Sequence, residues 1–375
     1  MTGPGSWHPQ VFLQRLTEGL ALRELWSQFR SEAQASYRLY SAEVEGELGS
    51  APRWRRAFGF ARELFWVMVL KLSPARRVVL ITSLLLAALG GMRPDLNRPS
   101  LSTYGVIGLL IVLGMELADR VAMKRDLEIA REIQSWLLPQ TPPRVPGLDI
   151  AFATQSANTV GGDYYDVMVR DGDADGRKLL LVVADVAGKS MPAALLMATF
   201  QATVHALVAT SPPLSELAQD LNRCVCSRSQ GGRRFTTALL AELDAHNEVL
   251  TYINAGHNYP VLWRARGCLE RLTSGGMPFG IRAGAAYEIG TVPFTAGDLL
   301  VVFTDGVVDA INERGDEYGD PRLIQLVEHS PEESAEATLK RVMAEVARFT
   351  GSTRQHDDMT MLVVRAERPE ESRPE

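Results

Sequence analysis

Two charge-free apolar stretches open the readable pattern of the chain, Val78–Met92 and Pro99–Met115, separated by a short linker, Arg93–Arg98. At ~1.5 Å rise per residue the two helices would reach about 22 and 26 Å, slightly short of a hydrocarbon core of roughly 30 Å. Paired as a hairpin with Arg77, Arg93 and Arg120 snorkelling at its ends, they become candidate spans; a buried hairpin in a soluble domain is the alternative. A helical pattern then continues to Pro139. Met123, Leu127, Ala130, Ile133 and Leu137 line one stripe, flanked by Lys124, Glu128 and Arg131, a spacing able to pair two protomers or to pack on its own domain. Pro139, Pro142 and Pro143 end it, because proline removes a donor the helix interior needs.

After Pro146 the texture changes to short β-like runs: 148–154, 178–184, 237–243, 249–254, 261–264, 299–304 and 359–364. Helical patterns over 192–209, 214–227 and 334–349 lie between them. Strands and helices cluster rather than strictly alternate. This predicts an α+β layered domain with mainly antiparallel sheets, with a doubly wound sheet as second choice.

Charge orients the apolar part. Before Val78 eleven basic residues face seven acidic ones, whereas the whole 375-residue chain carries −6. Arg76 and Arg77 precede the first stretch, and Arg120, Lys124 and Arg125 follow the second, so both ends of a hairpin would stay on the cytoplasmic side. Residues 1–77 read as a helical region with Trp54, Phe58, Phe60, Phe65 and Trp66 at helix-like spacings, and show no early apolar core of a signal peptide. The three cysteines, Cys224, Cys226 and Cys268, lack CxxC spacing, and no HExxH pair occurs, which argues against disulfide, zinc and thiolate chemistry. An acidic C-terminal part also lacks the basic groove that nucleic acid requires.

Candidate chemistry gathers where apolar runs end. Gly161-Gly162-Asp163 lies in a loop after the first run, Asp185-Val186 closes the second, Thr304-Asp305-Gly306 closes another, and Asp357-Asp358 precedes the last. One Asp-Gly after a strand is usually a turn. Four acidic points at strand ends instead suggest a shared cation, since converging buried carboxylates repel one another without one. Oxygen donors without Cys or His favour Mg²⁺ or Mn²⁺. Gly162, Gly188 and Gly306 would permit close approach of backbone.

The ordered set EIQSWLLP (132–139), GGDYYD (161–166), DVAGKSMPAA (185–194), NAGHNYP (254–260), TDGV (304–307) and DDMT (357–360) resembles the PPM-type serine phosphatases of the SpoIIE/RsbU branch. The resemblance implies a β-sandwich flanked by helices over residues 144–368; the residue pattern itself gives a linker helix at 120–143, a candidate membrane hairpin at 78–119 and a disordered tail at 369–375. The resemblance also implies two, or even three, Mn²⁺ or Mg²⁺ ions. Asp185 would bridge them, the Val186 carbonyl would complete one, Asp305 and Asp357 would hold the other, Asp163 would act directly or through water, and Asp358 would be secondary. A metal-bound water held by Asp185 and Asp305 would attack phosphorus in line, without a covalent intermediate. The implied substrate is a phosphorylated STAS-domain protein; the location expected from the hairpin and its flanking charges is the inner membrane, with the catalytic domain in the cytoplasm.

Two departures stand out. Lys189-Ser190 replaces the Gly that often follows the basic residue, and Ala187 stands where some relatives carry an acidic-proton donor, leaving Lys189, His356 or metal-bound water for that task. His257, Asn254, Asn258, Asp166 and Asp309 read as turn or bracing residues. Alternatives from other classes are a catalytically silent module on the same fold and a metal-dependent phosphodiesterase or nuclease.

Overall fold

A computed structural model describes residues 69–90, 100–170, 178–229, 231–329 and 333–367. The expectations for the aromatic N-terminal region, the Arg93–Arg98 linker and the 369–375 tail lie outside these residues. The chain forms two compact units, residues 1–120 and 121–375.

In the first unit the apolar stretches are helical: α1 is Pro74–Leu89 and α2 begins at Leu101 and runs to Leu137. The second stretch and the linker pattern are therefore one helix of 37 residues. Side-chain size lets the pair pack closely. A Cβ on Gly105 would lie 2.5 Å from Ala87 N, and one on Gly108 2.0 Å from Ser83 Oγ. At the other end of the pair Arg76 bridges to Glu116 and Asp119. Val78, Leu85, Leu89, Leu110 and Leu113 are exposed on these helices. By length and hydropathy α2 is long and apolar enough to cross a membrane, whereas α1, at 16 residues, reaches only about 24 Å. A third apolar helix, α3 (Ser190–Val208), passes the same length and hydropathy criteria, but Met197, Phe200 and Val204 bury it in a core.

The second unit is a two-sheet sandwich between helical layers. Its strands are β1 (Leu148–Gln155), β2 (Asp163–Val169), β3 (Lys178–Val186), β4 (Thr236–Asp244), β5 (Val249–Ala255), β6 (Val261–Trp263), β7 (Leu269–Arg271), β8 (Gly275–Gly276), β9 (Gly290–Pro293), β10 (Leu299–Phe303) and β11 (Met359–Ala366). One sheet has the order β1-β11-β10-β6-β7 and the other β2-β3-β4-β5-β8, with β9 also paired to β5. The named pairs are antiparallel except β5–β8, which excludes the doubly wound alternative.

Period-two alternation divides the side chains among three cores. Leu181 and Val183 of one sheet meet Val302, Leu362 and Val364 of the other between the sheets. Leu180 and Val182 point outward onto α3 and α4 (Leu214–Arg228). Val301, Phe303 and Val363 point outward onto α6 (Asp320–Glu328) and α7 (Ala335–Thr350), which follow the one-turn helix α5 (Asp305–Val308). Because β3, β10 and β11 are covered on both faces, they read as continuous apolar runs; each fully buried Leu or Val adds about 1.5–3 kcal/mol of transfer free energy.

Candidate active site

Asp163 is not in a loop, as the sequence suggested. It is the first residue of β2, paired in register with Asp185 on β3. Like charges in register on neighbouring strands repel; Asp163 is buried and Asp185 partly buried. Burial, then the Asp185 charge, drives the Asp163 carboxyl well above the usual carboxylate range, while hydroxyls of Thr360 and Thr304 pull it back. The Thr304 Oγ1–H donates to Asp163 Oδ2 at 2.8 Å, and the Thr360 amide donates to Thr304 Oγ1 at 2.9 Å. Asp185 is pushed up to about 7 by burial first and then by the charges of Asp305, Asp357 and Asp358.

Asp305 opens α5 directly after β10. Burial raises its pKa, and the charges of Asp357 and Asp309 raise it further. Gly306 next to it allows the turn to press on the chain before β11: a Cβ there would sit 2.0 Å from Asp358 O. At Gly162 the added Cβ would lie 3.0 Å from Val186 O, so the β2 entrance rests against the end of β3.

Asp357 and Asp358 take different parts. Asp357 Oδ1 accepts the Asp358 amide at 3.0 Å, and its Oδ2 meets Lys189 Nζ at 2.8 Å. Asp358 turns both oxygens to backbone, accepting Ala157 N–H at 2.8 Å and Gly162 N–H at 2.6 Å. It ties the β1–β2 loop to the start of β11. Lys189 also donates to the His356 carbonyl at 2.9 Å, and its charge draws down Asp185, Asp305 and Asp358.

The oxygen donor set fits hard divalent cations. Among the described residues no three Asp, Glu, His or Cys side chains close on one ion position, so an ion here would complete its shell with water and the Val186 carbonyl, as Mg²⁺-like ions do. The mutual repulsion that raises Asp163, Asp185 and Asp305 is the counterpart of that fit.

Three features add to the sequence reading, which took Asp166 and Asp309 only as turn or bracing residues and gave Gln134 no role. Asp309 stands four residues after Asp305 on the same helical turn, and beside it a cleft of about 470 Å³ is lined by Gln155, Glu317, Arg354, His356 and Asp357; the i, i+4 spacing was the available signal. Gln134 of α2 donates its amide to Gly161 O at 2.7 Å and accepts Gly161 N–H at 3.1 Å. It lies in the quoted EIQSWLLP segment, but its partner is 27 residues away. Asp166 is buried and accepts from Tyr164 OH and Val167 N–H, and lies 2.8 Å from His205 Nε2. His257 is structural as expected: fully buried, lowered to about 4 by that burial, and 3.1 Å from Thr237 Oγ1. Asn254 braces the same turn through His257 N–H and O.

The family described as Stage II sporulation protein E (SpoIIE) matches residues 175–367. Phosphoserine phosphatase RsbU of Bacillus subtilis is 28% identical over 244 residues, 65% of this chain and 70% of RsbU. Protein IcfG of Synechocystis is 25% identical over 279 residues, 68% of this chain but only 43% of IcfG. The chain thus spans less than half the length of IcfG. The solved SiaA-PP2C domain of Pseudomonas aeruginosa matches with a TM-score of 0.59 at 20% identity, covering 66% of this chain and 98% of that domain. This likeness shows the fold, that of PP2C phosphatases.

Proposed function

Because the chain belongs to the SpoIIE family, in the SpoIIE/RsbU branch of PPM-type phosphatases, we propose that it is a metal-dependent protein serine/threonine phosphatase acting on a regulatory protein in a partner-switching pathway. One observation carries the reading: Asp163, Asp185, Asp305 and Asp357, from four separate segments, lie close enough for their charges to raise one another's pKa or to be raised by a neighbour in the set.

In this reading Asp185, Asp305 and Asp357 hold Mn²⁺ or Mg²⁺, with the Val186 carbonyl and Asp163 completing the set. When bound, such ions supply Lewis-acid stabilisation of phosphoryl oxygens and an activated water nucleophile. Thr304 and Thr360 hold the Asp163 carboxylate in place, Asp358 fixes the loop that presents it, and the strand pairing of β2 with β3 sets the spacing of Asp163 and Asp185. The reading needs no covalent intermediate, and Cys224 and Cys226 sit on the helix α4.

The substrate we assign is a phosphoseryl or phosphothreonyl STAS-type protein; the support is the similarity to RsbU, itself a phosphoserine phosphatase by name. We further assign α1 and the apolar first part of α2, within residues 78–119, to an inner-membrane hairpin with the catalytic unit in the cytoplasm, supported by the exposed apolar residues on both helices and by Arg76, which pairs with Glu116 and Asp119. Pairing of two protomers through α2 belongs to the same proposal.

The test is phosphate release from phosphorylated STAS-type proteins by the purified full-length chain. Release that requires Mn²⁺ or Mg²⁺, stops with EDTA and is lost in Asp305→Asn supports the reading. Release that survives both EDTA and Asp305→Asn removes it.

A further inference from the structure

We propose that Lys189 is a tethered cation that exchanges with a divalent ion at Asp357, so that the chain itself sets the affinity of that position. The inference rests on the phosphatase reading above and concerns a residue that reading leaves without a role.

The two oxygens of Asp357 are both engaged. Oδ1 accepts the Asp358 amide, and Lys189 holds Oδ2 at 2.8 Å. Each carboxylate oxygen keeps a second lone pair, so an ion can reach Oδ2 beside the ammonium, but the two cations then repel each other across one shared oxygen. A divalent ion drawing on Oδ2 is therefore opposed by the Lys189 charge and loosens that pair as it binds.

The loop is built for that exchange. Lys189 lies between Gly188, at φ +130°, and Ser190, a non-glycine residue at φ +62°, a left-handed conformation that costs energy for a side chain with a Cβ. The loop thus holds an unfavourable backbone in order to bring the Lys189 stem across the site to the 356–357 segment, 167 residues away in sequence. Its side chain is nevertheless 57% exposed, so the ammonium can move into water on leaving Asp357. An exposed pair of this kind contributes little to folding, which argues against a purely structural role. Its charge instead reaches Asp185, Asp305 and Asp358, where it offsets part of the repulsion that a divalent ion would offset more fully.

The experiment is a Mn²⁺ titration of the full-length chain in detergent, reading free Mn²⁺ by electron paramagnetic resonance, with no turnover involved. Lys189→Met removes the competitor and should tighten Mn²⁺ binding by roughly two- to fivefold, the free-energy scale of an exposed ion pair. Lys189→Arg keeps the charge and should bind as the wild type does. Lys189→Gln is read in parallel, with thermal unfolding of each variant, so that a folding defect in one substitution does not decide the result. Wild-type or weaker Mn²⁺ affinity in folded Lys189→Met or Lys189→Gln overturns the exchange. Asp185→Asn separates the two ideas: if wild type binds Mn²⁺ and Asp185→Asn does not, while Lys189→Met is unchanged, only the exchange falls. If wild type shows no Mn²⁺ binding that Asp185→Asn removes, the phosphatase reading and the exchange fall together.

Discussion

Asp163 and Asp185 stand opposite each other in register on β2 and β3, two carboxylates facing across neighbouring strands at the end of a sheet. A sheet does not need acids there; it tolerates them at a cost in folding free energy, which is what the proposed metal site would offset. The pair is also the point where two different strands fix a distance that the rest of the site depends on.

The metal-free chain should therefore carry a stability deficit that Asp185→Asn relieves. Asp185 is raised to about 7 in the folded chain from an ordinary value near 3.8, so the folded state holds its proton more tightly. Its favourable contribution is complete below about 4 and is lost as pH rises to about 7. Thermal unfolding in EDTA should show the variant gaining on wild type across that window and holding a constant advantage above it, while phosphatase activity is lost. An unchanged difference from pH 4 to 8 would contradict the assignment.

His257 should act in the opposite sense. Burial lowers it to about 4 from 6.5, so its contribution is complete above about 6.5 and is lost as pH falls towards 4. His257→Gln should flatten the acid limb of the stability profile relative to wild type, as followed by circular dichroism melts.

Gln134→Ala should weaken the site without touching an acid. It leaves both the N–H and the carbonyl of Gly161 without the Gln134 partner, a loss of about 1–3 kcal/mol for buried groups. Since the neighbouring Gly162 amide holds Asp358 and leads into Asp163, kcat/KM should fall roughly 10- to 100-fold, the scale seen for supporting partners of a metal site. Steady-state kinetics over a Mn²⁺ series would show whether the loss lies in metal affinity.

Much of this was legible in the sequence, and the exceptions have causes. Strands such as β3 and β11 are buried on both faces, and unbroken apolar runs announce them. β2 was missed because DYYDVMV carries two aspartates, which are ordinarily depleted in strands; here Asp163 is held by Thr304 and Asp166 by Tyr164 and Val167. β8 and β9 are two and four residues long, too short for a period to show. Asp357 and Asp358 are indistinguishable as letters, yet neighbouring residues on extended chain point to opposite sides, and only the fold reveals which one meets Lys189 and which one meets Ala157 and Gly162. Long-range pairs such as Gln134 with Gly161 leave no periodic trace.

Gly306→Ala should be disabling for a steric reason. The new methyl would stand 2.0 Å from Asp358 O, a backbone atom with no rotamer to yield. A loss of about 1–3 kcal/mol is expected, together with displacement of Asp305. Thermal melts and phosphate release, measured on the same preparation, should fall together.

The most direct measurement is the anomalous difference map of crystals of the chain grown with Mn²⁺. The account predicts ions roughly 2.1 Å from carboxylate oxygens of Asp185, Asp305 and Asp357, a distance typical of small hard cations, with the Lys189 ammonium withdrawn from Asp357. Mn²⁺ peaks elsewhere on the chain, with these carboxylates carrying none at a concentration that supports turnover, would contradict it.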